Sequence, residues 1–382
     1  MSNDKETDER CINSTIEPCR SRSESPYWNG QLPHRDTSHA SPSLDPQVND
    51  GNCPSINKAA IANIQVSSTT LNEELITARK LCRQSKSAVV AMFSDARMGR
   101  AISIDQADKL VDDIARSIMR HPSAFISLAR LKTATEYTYM HSVAVSALMI
   151  AVAQQLDLPE ELVHQAGLAG LLHDIGKMAI PGIIINKPGK LTDDEFAVIR
   201  QHPRLGAQIL RTSAPLCETV IDVCLHHHEK MDGSGYPDRL TGEQISLFSR
   251  MAAICDVYDA VTSDRPYNEA WSPAIAIQKM SGWNRHFDKT VFQAFVKSVG
   301  IYPVGSIVRL SGGAIGVVTE QNPCSLLNPK VNTFFSTSLN TYVTPSIIDL
   351  SEPTSSEKII ERITAKQYGF KNTETLWSEL PA

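Results

Sequence analysis

The sequence predicts an all-α helical bundle for most of the chain, closed at its C-terminal end by a small β-rich appendage. Three observations carry that prediction. Apolar residues recur with helical spacing from Leu71 onward, and residues 141–156 are apolar on almost every side. After Gly300 the period changes, and Gly312-Gly313 separates two short runs of strand character.

The elements follow in order. Residues 1–68 are rich in Ser, Pro, Asn, Asp and Arg with few apolar runs, and a disordered leader is expected there. Residues 69–132 read as an N-terminal helical segment. Leu71, Leu75, Ala78 and Cys82 share one helix face, and residues 105–120 repeat the theme with Ala107, Leu110, Ile114 and Ile118. His121-Pro122 breaks the pattern, and residues 125–131 resume it. The main bundle is expected over 133–299. Its helix at 141–156 ends at Asp157-Leu158, and Pro159 opens the next, which runs through Val163, Ala166, Leu168 and Leu171 to His173-Asp174, with Gly176 marking its end. Thr192 to Glu195 has the form of a capping box, and the helix it opens should stop near Gln201 because Pro203 disfavours helix at His202. Helices are expected at 216–230 and 247–262, with a Gly- and Pro-rich loop at 232–237 between them. In the appendage, 300–382, a β-hairpin is expected at 306–310 and 314–320. Phe334-Phe335 and Tyr342-Val343 add strands, and 356–368 reads as a closing helix.

Composition limits the function. The chain has 382 residues, 42% hydrophobic and 21% charged, with a formal net charge of −5. That balance is globular and offers no overall field for a nucleic-acid polymer or an anionic membrane, so an anionic substrate needs a local cationic centre. No apolar stretch has the length and purity to span a bilayer, and no secretory signal is present at the N-terminus. The eight cysteines form no CxxC pairs; Cys217 and Cys224 read as small core residues, and a reducing cytoplasm is the simplest compartment.

His141, His173, Asp174, His202, His227, His228 and Asp256 are candidate metal ligands. All except His202 fall within helical patterns, and helices hold ligands at fixed separations. Imidazole and carboxylate donors suit iron, manganese or zinc over calcium. The set is too large for one catalytic ion with an open position, so two divalent ions bridged by Asp174 and a hydroxide fit better, with the hydroxide attacking phosphorus in line. Lys177, close after the ligand pair, is placed to stabilise or protonate the departing oxygen. Asp259 either orients a ligand or caps a neighbouring helix. Lys187 and Lys190 read equally well as phosphate-gathering or as solvated loop lysines. His121, His164 and His286 lack such company and read as structural or surface residues.

Leu172-His173-Asp174-Ile175-Gly176-Lys177, Asn186-Lys187-Pro188-Gly189-Lys190-Leu191, His202-Pro203, His227-His228-Glu229, Asp232 to Pro237, Asp256 to Ala260 and Thr262 to Tyr267 together resemble the HD-GYP phosphodiesterases. The resemblance implies an HD-superfamily helical core and hydrolysis of cyclic di-GMP to pGpG, with onward cleavage to GMP in some members. It implies that the seven candidates above are the metal ligands and that Lys177 is the active-site lysine. It further implies that Gly235, Tyr236 and Pro237 line the substrate cleft and meet GGDEF cyclase domains, and that Arg265 meets the dinucleotide. Members with three metals carry a Glu where this chain has Tyr137, and Glu136 falls off that helix face, so two ions are expected, iron or manganese. Asn268 stands where a Lys or Arg often follows the Arg-Pro-Tyr segment, which removes one substrate contact. The alternative reading is a signalling adaptor that binds a GGDEF protein with weak or no hydrolysis.

Overall fold

The computed structural model describes residues 71–130, 137–187, 189–213, 216–263, 270–322, 325–373 and 375–378. The expected leader, together with Glu136, Arg265 and Asn268 and the side chain of Tyr137, lies outside the described residues.

The expected periodicities become helices. Three form the N-terminal segment: α1 (Leu71–Arg97), α2 (Ile104–Arg120) and α3 (Pro122–Arg130). Ser103 caps α2 by accepting from the Gln106 amide at 3.4 Å, and α2 buries the Ala107, Leu110, Ile114 and Ile118 face. Pro122 opens α3 rather than merely ending α2, because a first-turn position needs no amide hydrogen.

The central element is α4 (Tyr137–Gln155). It packs against α3, α1, α5 (Glu160–Leu172), α10 (Leu247–Val261) and α12 (Lys289–Val299). Being covered from several sides, it needs apolar residues all round, as its sequence shows. The chain continues through a 3-10 turn at Ile175–Ala179, then α6 (Gly182–Ile185), α7 (Asp193–Ile199), α8 (His202–Ser213), α9 (Glu218–His226), α10, α11 (Pro273–Ser281) and α12. Both halves of the expected capping box are present: Thr192 Oγ1 accepts from the Glu195 amide, and Glu195 Oε2 accepts from the Thr192 amide.

Four local expectations are corrected here. His202 opens α8, with Pro203 tolerated in the first turn, whereas α9 stops at His226 so that His227 caps it and His228 lies beyond. Gly176 sits inside the 3-10 turn and does not cap a helix; a Cβ there would lie 1.9 Å from the His202 carbonyl oxygen and 2.5 Å from the Gly206 amide nitrogen. It is glycine because two backbone segments touch. Finally, 356–368 is no helix. It holds β5 (Ile359–Ile363) and one short turn of helix, α13 (Ala365–Tyr368). The β-branched Ile359, Ile360 and Ile363 favour the strand, and pairing with β1 satisfies its backbone.

The appendage is a five-stranded antiparallel sheet in the order β4-β3-β2-β1-β5, built from β1 (Ile307–Leu310), β2 (Ala314–Glu320), β3 (Lys330–Ser336), β4 (Thr341–Asp349) and β5. The β1–β2 hairpin pairs Ile307 with Val317. Ile307, Ile315, Val317 and Phe334 join the helical core, and Trp377 of α14 (Thr375–Ser378) joins with them. Val308, Leu310, Val318, Val331 and Leu350 form a smaller cluster of their own. Alternation along the strands therefore divides two cores. A cavity of about 750 Å³ lies by this sheet, between Leu71 and residues that include Glu320, Lys330, Ile347 and Glu352, and contains none of the expected ligands. Among the described residues, no helix is long and apolar enough to cross a membrane.

Candidate metal centre

Five elements bring the seven candidate ligands together. His141 comes from the first turns of α4, His173 and Asp174 from the end of α5, and His202 from the start of α8. His227 and His228 come from the turn after α9, and Asp256 from α10. All seven are buried. They fall into two groups that share one carboxylate. Asp174, His202, His227 and His228 offer ligand atoms within 4.8 Å of one another, and so do His141, His173 and Asp174. Asp256 adjoins both: its Oδ1 is 2.9 Å from His141 Nε2 and its Oδ2 is 3.8 Å from His228 Nδ1.

The imidazoles are oriented from behind. His173 Nδ1 donates to the Gly170 carbonyl at 2.7 Å, His202 Nδ1 to Ile199 at 2.8 Å, and His227 Nδ1 to Val223 at 3.0 Å. His141 Nδ1 instead donates to Asp259 Oδ2 at 2.6 Å, so Asp259 orients a candidate ligand and the helix-cap alternative falls away. Fixing Nδ1–H turns each Nε2 lone pair inward. His202 Nε2 and His227 Nε2 then face each other at 3.3 Å. His173 Nε2, Asp174 Oδ1 and His228 Nε2 are buried with no hydrogen-bond partner. A cation among these atoms would satisfy all of them. The donor set fits metal ions.

Electrostatics agree. Burial opposes ionisation of Asp174, yet Lys177 and His173 hold its carboxyl well below the usual range. Asp256 is likewise opposed by burial and pulled down by its hydrogen bond with His141 and the nearby His228 and His173. For His173, burial lowers the pKa, but Asp174 and Asp256 outweigh it and raise the imidazole. Burial pushes His227 down to about 3, with His173 and His202 adding to the effect, and lowers His228 strongly in company with His227 and His202. Thus the side near His173 calls for positive charge, while His227 and His228 stay neutral and able to ligate. Lys177 supplies one cation: its Nζ donates to Asp174 Oδ2 at 2.5 Å.

The surrounding loop is tightly built. A Cβ on Gly235 would lie 2.5 Å from Glu229 Cα and 2.6 Å from the His228 carbonyl oxygen, so the loop can lie on the His228–Lys230 turn only without a side chain there. Tyr236 is buried, donates its amide to the His228 carbonyl at 3.3 Å, and precedes a cis peptide bond to Pro237. Glu229 anchors the far side of the loop, accepting the amides of Asp238, Arg239 and Leu240 at 2.7, 2.9 and 3.1 Å. Burial outweighs those amides and leaves its carboxyl above the usual glutamate range.

Glu229 and Arg200 carry no role in the sequence reading. Glu229's position beside two ligands was the available signal. Lys187 is engaged by Glu195 at 2.5 Å, which favours a structural part for it. His164 lies 3.5 Å from Asp112, and His121 lies 4.0 Å from Glu320, both away from the centre.

A profile of the HD domain family matches residues 114–291. Cyclic di-GMP phosphodiesterase PA4108 of Pseudomonas aeruginosa is 56% identical over 310 residues, covering 81% of this chain and 75% of that protein. Cyclic di-GMP phosphodiesterase response regulator RpfG of Xanthomonas campestris pv. campestris is 45% identical over 156 residues, 40% of this chain and 41% of that protein. 3'3'-cGAMP-specific phosphodiesterase 2 of Vibrio cholerae is 38% identical over 150 residues, 36% of this chain and 29% of that protein. The chain thus spans three quarters of the first relative and less than half of the other two.

Proposed function

This chain belongs to the HD-GYP family of phosphodiesterases, and from that premise we propose that it hydrolyses cyclic di-GMP to pGpG, with GMP as a possible second product. The observation that carries the reading is the pair of buried ligand groups sharing Asp174. We read these as seats for two divalent ions, iron or manganese, with Asp174 common to both and Asp256 completing the His141–His173 side.

Two such ions polarise a phosphoryl oxygen and lower the pKa of water to near neutrality. The residues around them set up the rest. Asp259 fixes the tautomer of His141, and the backbone carbonyls of Gly170, Ile199 and Val223 do the same for His173, His202 and His227. Lys177, whose Nζ donates to Asp174 Oδ2, is assigned to stabilise or protonate the departing oxygen. Gly235, Tyr236 and Pro237 are assigned to the substrate cleft, and Arg265 to a contact with the dinucleotide. A GGDEF-domain protein is a partner in this reading; a nucleic-acid polymer and a membrane are not. A cytoplasmic site of action accords with the free thiols of Cys82, Cys217, Cys224 and Cys255.

Hydrolysis is favoured over the adaptor reading by the high identity to a named phosphodiesterase across most of the chain. Product analysis on anaerobically prepared protein, loaded separately with iron and manganese, tests the proposal. Cyclic di-GMP should yield pGpG and Asp174→Ala should abolish turnover; equal turnover by that variant overturns the mechanism. Because one relative is named for 3'3'-cGAMP, the same assay with that dinucleotide defines the substrate, and a preference for it replaces cyclic di-GMP in the reading. A metal count on the same sample tests the two ions.

A further inference from the structure

His228 differs from the other imidazoles of the centre. Each of His141, His173, His202 and His227 has its Nδ1 anchored by a hydrogen bond. The His228 side chain makes no hydrogen bond among the described residues; its nearest carboxylate oxygen, Asp256 Oδ2, is 3.8 Å from Nδ1. A ring contact holds it instead. The Tyr236 ring stacks on the His228 imidazole with centroids 4.7 Å apart and planes inclined by 27°. The Arg200 guanidinium carbon lies 4.6 Å from the centroid of that same Tyr236 ring, within cation–π range. Arg200 caps the C-terminal end of α7, two residues before His202, so one short segment supplies a ligand and steadies the tyrosine.

We propose that Tyr236, held by Arg200, is the positioning residue for His228, and that the two together set how tightly the Asp174–His202–His227–His228 group holds its ion. Stacking takes the part that a hydrogen bond to Nδ1 plays at the other ligands. The guanidinium narrows the freedom of the tyrosine ring, and the ring in turn fixes the plane of the imidazole. This assignment rests on the two-group reading above.

Chelator competition on the full chain, following release of each ion separately, provides the test. Arg200→Ala should weaken one of the two ions by about 10-fold and leave the other unchanged, as expected for loss of an orienting partner. Tyr236→Ala should weaken the same ion at least as much, and Tyr236→Phe should retain it. In the Tyr236→Ala background, Arg200→Ala should add no further loss, because its action passes through the ring. The melting temperature of the metal-free protein should not change with Arg200→Ala. If that variant does not fold, Arg200→Gln carries the same expectation. Two ions whose release ignores both substitutions overturn the proposal alone, as does an Arg200 effect of undiminished size without the ring. A single ion in the unsubstituted protein overturns the two-group reading and this proposal with it.

Discussion

Asp259 shows how much one residue behind a ligand can decide. Its carboxylate receives the His141 Nδ1 proton at 2.6 Å in a fully buried setting, which leaves Nε2 to face Asp256 and Asp174. Asp259→Asn keeps the shape but exchanges a charged acceptor for a neutral one, and should weaken metal retention by about 10- to 100-fold in a chelator titration. Lys177→Met should lower kcat by roughly 100-fold or more in steady-state assays while leaving metal content unchanged, as the role proposed for it at the departing oxygen requires. The candidate ligands were legible because His and Asp are chemically distinctive and fall in or beside helical patterns. Arg200 was not, since an arginine beside an apolar run has many ordinary uses, and its contact with Tyr236 exists only once α7 and the loop after α9 meet.

Elements were legible where a period or a cap announced them. Thr192 and Glu195 close a reciprocal pair of hydrogen bonds at the start of α7, and Thr192→Ala should cost about 1 kcal/mol in a denaturant titration. Ends were harder. No Gly or Pro follows His226 until Gly233, so nothing local marks a stop, yet the α9 ladder ends at His226 and His227 caps it. The strand β5 was misread as helix because its partner β1 is some fifty residues earlier, and such pairing leaves no local trace. The loop from Asp232 to Leu240 depends on Glu229. Glu229→Ala orphans three amides and should destabilise the protein by about 2–4 kcal/mol. Glu229→Gln, which keeps one acceptor oxygen, should fall between that variant and the unsubstituted protein.

At the level of the whole molecule, the two-ion proposal links folding to metal binding, since the buried candidate ligands meet only in the native chain. Chelation should therefore lower the melting temperature, by an amount equivalent to about 2.7 kcal/mol if the ion had been present at roughly 100 times its Kd. Acid should act through a separate group. Burial, with Lys230 adding to it, pushes the His286 imidazole down to about 4 from the usual 6.5. Between those values the unfolded chain binds the proton and the native chain does not, so stability falls as pH drops from about 6.5 to about 4 and then levels off. Replacing His286 with Gln should flatten that part of the melting-temperature profile. The helical bundle was readable from apolar periodicity alone, whereas the merging of one set of sheet residues with the bundle core was not, because it depends on how two separately patterned regions meet.

The contact between the turn at Gly176 and the start of α8 has a mechanical meaning. Where Gly176 meets the His202 carbonyl and Gly206, no side chain intervenes, and main-chain atoms have no rotamers with which to yield. The main chain carrying Asp174 and the main chain carrying His202 are thereby set against each other like the jaws of a caliper. Under the two-ion proposal, ions of different radius would then be accommodated by the side chains and by the ions' own positions more than by the backbone. Exchanging one first-row metal for another should alter how well each is centred, and so the speed of the reaction, more than it alters the shape of the protein around it.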